Sequence, residues 1–327
     1  MYLIHNKIKY YKNFNINIIF INNYLKEIYC INKEIKIECI KNESIIYIKI
    51  INIKKENVSI NLLLNYNYFN FVNIFKINKL KIIIGKYINI LLIEKYNLYG
   101  LNLLFNYNII KILIKDKSNL KYLKNKNNKI FSLNKIYIYQ IRSKVDIYDL
   151  DIYDLNSINY ITIKNLSDNC INNIYGIYIL NNNQFLKNKF YYINKYNNCK
   201  NYQKFIGIFN DYSKIKLKGV IFIKKRTRNN ISYQHFINYI LSNNVYINVK
   251  PYLNIYSNNV KCSHGVNMGK IDNNIIYYLL SRGISKLKSK TLYFLSILYN
   301  DIKDKNILYL IKNKIKNKIK ECLVKKK

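Results

Sequence analysis

The stretch Ile215-Lys216-Leu217-Lys218-Gly219-Val220-Ile221-Phe222-Ile223-Lys224 decides the fold class. Ile215, Leu217, Ile221 and Ile223 recur at even intervals with Lys216, Lys218 and Lys224 between them. Successive strand side chains point to opposite faces, so this period describes a strand with one face turned to a core. Working outward, Val145-Asp146-Ile147-Tyr148-Asp149-Leu150-Asp151-Ile152 and Val245-Tyr246-Ile247-Asn248-Val249 repeat the pattern. Ile and Tyr, which suit pleated and half-buried surfaces, dominate these segments. The segments are short and numerous, with Asn, Asp, Ser or Gly between them. From roughly residue 60 to 262 nothing reads as a helix long enough to serve as a βαβ crossover. A sandwich, a barrel or a β-solenoid remain. Asn-rich turns between closely spaced strands fit a β-helix, whose stacked coils let Asn form ladders, although an Asn-rich chain supplies the same residues to any fold.

The pattern changes near residue 269. Asp272 is placed to cap a helix whose Ile275, Ile276, Leu279 and Leu280 share a face. Gly283 stands where a left-handed C-terminal cap belongs. A second helix is expected over 292–302. A third carries Ile307, Ile311, Ile315, Ile319 and Leu323 on one side, flanked by Lys312, Lys314, Lys316 and Lys318. That stripe is expected to pack on its own domain rather than lie on a membrane. Residues 1–60 read as a mixed region with a few strands and a short helix over 22–29. The chain therefore divides into an N-terminal region (1–60), a β-rich core (61–268) and a C-terminal helical domain (269–327).

A net charge of +38 on 327 residues first suggests nucleic acid, because Lys and Arg neutralise phosphates. The composition weakens that reading. There is no Ala and no Trp, one Pro (Pro251) and eight Gly, while Ile, Asn, Lys and Tyr fill the chain. The missing residues use GC-rich codons and the abundant ones AT-rich codons, as an AT-rich genome would produce. Only Arg142, Arg226, Arg228 and Arg282 supply the guanidinium fork suited to phosphates and bases. Nucleic-acid binding is kept as the alternative from a different class.

Six scattered cysteines (Cys30, Cys39, Cys170, Cys199, Cys262, Cys322) with no CxxC argue for a reducing compartment. Nothing at the N-terminus reads as a signal peptide, and no apolar run approaches a membrane span. A cytoplasmic protein, bacterial or endosymbiont, is expected, with the plastid stroma as the alternative.

Three histidines are present: His5, His235 and His264. His5 has no assigned role, and His235 reads as a surface or packing residue. His264 stands apart because Cys262 lies two residues before it, on the same strand face. Thiolate and imidazole suit iron–sulfur centres and zinc. Two ligands do not close a site, so the rest would come from elsewhere in the chain, from exogenous thiols or from a second subunit. The alternative is a buried thiol and a hydrogen-bonded His at a strand end.

The run from Lys250 and Pro251 through Lys261-Cys262-Ser263-His264-Gly265 resembles the signature of the SufB/SufD family, in its SufD form. The resemblance continues through Gly269-Lys270-Ile271-Asp272 and Tyr277-Tyr278-Leu279-Leu280-Ser281-Arg282-Gly283-Ile284. Upstream, Gln234 with Asn238-Tyr239-Ile240-Leu241-Ser242 also follows the family's order, and weaker similarity reaches Tyr175-Gly176-Ile177-Tyr178 and Cys199. It implies a right-handed parallel β-helix followed by a helical C-terminal domain. It also implies a non-enzymatic scaffold for iron–sulfur cluster assembly, paired with a SufB-like paralogue through the β-helices and with a SufC-like ATPase through the C-terminal helices. A transient iron–sulfur cluster would form at the subunit interface, with His264 and Cys262 as this chain's cluster- and metal-binding residues. Val266-Asn267 replace the family's usual Ala-Thr, and Asn and Tyr replace its histidines around Cys199.

A SufB-like paralogue is disfavoured, because that form carries an acidic Glu-His-Glu type sequence where this chain has Cys262-Ser263-His264-Gly265. A β-helical enzyme acting on polysaccharide would need converging carboxylates. Asp149 and Asp151 share a strand face and Asp146 points oppositely, and solvated strand edges account for this cluster, Asp154 included. The sequence has no GxxxxGK[ST] loop, so it is not expected to hydrolyse ATP itself.

Overall fold

The computed structural model describes residues 16–323 apart from 22–23, 31–34, 43–44, 53–56, 70–73, 100–103, 127–130, 153–155 and 303. Among them, nineteen strands from β1 (Ile16–Ile21) to β19 (Val260–Gly269) precede three helices: α1 (Asn273–Ser281), α2 (Lys286–Asp301) and α3 (Lys305–Leu323). From β4 (Ile45–Asn52) onward consecutive strands alternate between two sheets. The first sheet runs β19-β17-β15-β13-β11-β9-β7-β5-β1-β2, and the second β18-β16-β14-β12-β10-β8-β6-β4-β3. The stacked pairs are parallel and in register: Ile171 pairs with Lys200, Lys200 with Ile231 and Asn230 with Val260. This is a parallel β-solenoid, each coil adding one strand to each sheet.

At the N-terminal end the stack finishes in antiparallel hairpins, β1 with β2 (Tyr24–Cys30) and β3 (Ile35–Asn42) with β4. The helix expected over 22–29 is thus a strand wherever it falls within the described residues. Its β-branched and aromatic residues gain a pairing partner in β1, and tertiary pairing overrides a weak local preference. β1 and β4 in turn pair in parallel with β5 (Val58–Phe69) and β6 (Ile74–Ile84).

Strand alternation sends one set of side chains inside the coil. Ile112, Ile138, Ile163, Tyr192, Ile221 and Phe236 are among those sealed there. Asn ladders run through the same interior. Asn134 donates to Asn159 Oδ1 and Asn159 to Asn188 Oδ1, both at 2.7 Å. Gln140 donates to Asn165 at 2.8 Å, and Asn165 to Asn194 at 3.2 Å. In these two ladders each stacked amide donates to the next, so their N–H groups are paired although buried. At the corners Asn169, Asn198 and Asn229 adopt φ of 59°, 54° and 56°, the left-handed region that Asn tolerates.

The two outer faces differ. Outside the first sheet, Ile177, Ile179, Ile206 and Ile208 meet Phe294, Leu298, Ile307, Ile311, Ile315 and Ile319 of the helices. The basic amphipathic helix therefore packs on its own domain, and its Lys318 reaches Asn181 Oδ1 at 2.7 Å. Outside the second sheet lysines lie over tyrosine rings, as with Lys218 above Tyr252 (4.5 Å) and Lys189 above Tyr160 (5.3 Å). Among the described residues no helix is long and apolar enough to cross a membrane.

Candidate functional site

The C-terminal end of the solenoid has no hairpin. β19 ends one sheet and β18 (Tyr246–Ile255) ends the other. In β17 (Asn230–Ile240) the inward side chains Ser232, Gln234, Phe236 and Asn238 are all sealed, at 2% exposure or less. Their register partners in β19 are Cys262, His264, Val266 and Met268. These four also occupy inward positions, but among the described residues no further coil covers them. Val266 is 37% and Met268 48% exposed, and His264 is exposed. Cys262 is half-buried, packed with Val249, Leu253 and Val260 against the core. Burial pushes its thiol above the ordinary value, opposed in part by the Ser232 backbone and hydroxyl beneath it. A metal that took this sulfur would have to displace its proton.

Cys262 and His264 share one face, and that face is the solenoid's interior, laid open at the terminal coil. A thiol and an imidazole in an apolar, partly dry setting can serve as soft-metal ligands, with the remaining positions open to another molecule. Among the described residues no group of three or more His, Cys, Asp or Glu could hold a metal ion.

The other sequence candidates fall elsewhere. His235 lies outside the coil, where a Cβ on its register partner Gly265 would come 3.2 Å from its ring. His5 and Asp154 are outside the described residues. Cys170 and Cys199 stack one coil apart at a corner, both sealed, and hydrogen bonds from Cys199 and the Ser167 hydroxyl lower the Cys170 thiol below its ordinary value. Asp149 and Asp151 do not lie on a solvated strand edge. They do share a face opposite Asp146, but it is the sealed interior, with exposures of 0% and 1%. Lys124 Nζ lies 3.1 Å from Asp149 Oδ1 and 2.7 Å from Asn159 Oδ1, while the Tyr178 hydroxyl donates to Asp149 Oδ2 at 3.1 Å. Lys124 comes from β9 (Asn119–Lys126), one coil away, and only the coil length could have signalled the pairing.

A family model, the SufBD core domain of the SUF system for FeS cluster assembly, matches residues 71–295. The chain belongs to the SufBD family. The match takes in the open coil and α1 and stops within α2. The iron-sulfur cluster assembly protein SufD of Escherichia coli (strain K12) is 32% identical over 88 residues, 27% of this chain and 21% of that protein. An iron-sulfur cluster assembly SufBD family protein of Synechocystis sp. (strain ATCC 27184 / PCC 6803 / Kazusa) is 31% identical over 85 residues, 26% of this chain and 19% of that one. The similarity thus spans about a fifth of each curated SufBD relative.

Proposed function

We propose that this SufBD-family chain is a SufD-like scaffold subunit that carries no catalytic chemistry of its own. It pairs with a SufB-like subunit through the open coil and presents its C-terminal helices to a SufC-like ATPase. His264, with Cys262 beside it, forms one wall of a shared site where an iron–sulfur cluster, the cargo, is built.

One observation carries the reading. The terminal coil offers two unpaired strand edges and an uncovered apolar interior, with an imidazole and a thiol at its centre. Exposed edges invite strand pairing, and uncovered core invites burial. A partner seated there would bury the apolar rim and supply the missing ligands. The helices expose Tyr277 (64%), Tyr278 (59%) and Tyr309 (83%), the kind of aromatic surface found at the centre of protein interfaces. Lys and Tyr spread over the second sheet are ordinary solvated positions in this reading.

Co-expression with a SufB-like partner and a SufC-like ATPase tests the assignment, and a stable three-component complex is the expected result. Failure to co-purify would exclude the partnership, and equal pairing with a SufD-like partner would make the chain SufB-like. On the complex, His264→Ala should leave assembly intact and lower cluster yield, read by visible absorbance. Unchanged yield would reduce Cys262 and His264 to packing residues.

A further inference from the structure

Gln203, Gln234 and His264 form a column on the inner face of the first sheet, in register across three coils. Gln203 comes from β15 (Lys200–Phe209) and is 0% exposed, and Gln234 is 1% exposed. Gln234 Nε2 donates to Gln203 Oε1 at 2.8 Å. A carboxamide whose N–H is used on the coil behind turns its oxygen toward the coil ahead. The side chain ahead, in register, is His264. Gln234 Oε1 has no hydrogen-bond partner among the described residues. Losing water without gaining a donor is unfavourable. Gln140 Oε1 and Asn172 Oδ1 are sealed in the same way, but Gln234 lies one coil from the open end, where a donor can still be supplied.

The opposite sheet shows that the amide is held there. Inward positions of β16 (Lys214–Ile223) carry Ile215, Leu217, Ile221 and Ile223, interrupted only at Gly219. A Cβ at Gly219 would lie 1.8 Å from Gln234 Nε2 and 2.6 Å from its Cδ. The Gln234 carboxamide occupies the space that any side chain at 219 would take. An apolar residue at 234 facing an apolar residue at 219 would fill the coil without a buried amide, so simple packing does not call for this pair.

We propose that Gln234 is a positioning residue for His264, resting on the reading that His264 meets the cluster cargo. Rotation of the exposed His264 side chain would bring its N–H onto the unpartnered Gln234 Oε1, fixing one neutral tautomer and turning the lone pair of the other ring nitrogen out through the open end. Which imidazole nitrogen is free to bind metal is set by the hydrogen bond the other one makes. Gln203 fixes the amide's orientation from behind and Gly219 leaves room for it from across the coil. Asn238 also carries sealed polar atoms without partners, but it lies beneath Met268, and the Ser232 hydroxyl lies against Cys262.

The test is nitrogen-15 NMR of the His264 imidazole on the isolated full chain, without cluster or partner, at mildly alkaline pH. One dominant tautomer is expected in the parent protein. Gln234→Met removes the acceptor at similar volume and should give a mixture of tautomers with far-UV circular dichroism unchanged. Gly219→Ala displaces the amide from the opposite strand and should give the same mixture, and it serves if Gln234→Met does not fold. Gln234→Glu keeps an acceptor in place and should restore the parent signature, since Gln203 need only flip its amide to donate. A folded Gln234→Met or Gly219→Ala protein with the parent tautomer population would overturn the proposal. The measurement needs no complex, so a failed co-expression leaves it standing, and its own failure leaves the scaffold assignment untouched.

Discussion

Lys124 and Asp149 form an ion pair inside the solenoid, Nζ to Oδ1 at 3.1 Å, with side chains 1% and 0% exposed. Asp151 joins them at 3.9 Å from the same ammonium. A buried pair gains little net stability over an apolar filling, but removing one partner strands the other charge in a poor dielectric. Lys124→Met is therefore expected to destabilise the chain by about 3–5 kcal/mol. Urea unfolding measures it, and a double-mutant cycle with Asp149→Asn should show strong coupling. A loss within experimental error would mean that the carboxylates do not depend on Lys124.

Gly176 faces the same network from β13 (Ile171–Leu180). A Cβ there would lie 2.4 Å from the Tyr178 hydroxyl and 2.5 Å from Phe205 Cδ1. Both rings are sealed, so neither can swing into solvent. Gly176→Ala should cost about 1–3 kcal/mol through overpacking. It should also pull the Tyr178 hydroxyl off Asp149. Thermal unfolding checks the first effect, and the near-ultraviolet tyrosine signal checks the second.

The underside of α3 carries a pH dependence. Burial against the first sheet, with the Lys95 ammonium nearby, lowers Lys314 to about 8 from an ordinary 10.5. The folded state therefore binds fewer protons than the unfolded one between these values, and stability should rise with pH across that window. Below about pH 8 the full penalty of burying the charge applies. Lys314→Met should stabilise the chain at neutral pH by on the order of 1 kcal/mol after allowance for solvent screening, and should flatten the slope. Denaturant midpoints at several pH values measure both, and an unchanged slope would place Lys314 in water.

At α1, the Asp272 carboxylate accepts the Asn274 N–H at 2.9 Å, and Gly283 closes the other end at φ 76°. Asp272→Ala and Gly283→Ala should each cost about 1 kcal/mol, one through a lost cap and the other through left-handed strain. Only Ile276 of α1 is buried, so faster hydrogen exchange confined to 273–281 is the expected readout.

Much of the architecture was legible in local pattern. Period-two alternation at Ile215–Ile223 predicted strands, and Asp272 and Gly283 bracketed a helix that forms between them. The limits were equally local. The expected apolar face of α1 is mostly open, with Ile275 40% exposed, because periodicity reports which side chains align and not what covers them. Residues 24–29 have no strong period, and pairing with β1 decided their state.

By itself the sequence determined that Cys262 and His264 project together, since adjacent odd or even positions of a strand must share a face. It also determined, through local capping, where the strands give way to helix. Tertiary structure alone decided that the shared face is the coil's interior and that the coil is the last one, so that groups normally sealed stand open. It likewise placed Lys124 on Asp149 and Gln234 beneath His264, residues 25 and 30 positions apart. Such contacts depend on the summed length of strands and corners in one coil, a distance that no local pattern encodes.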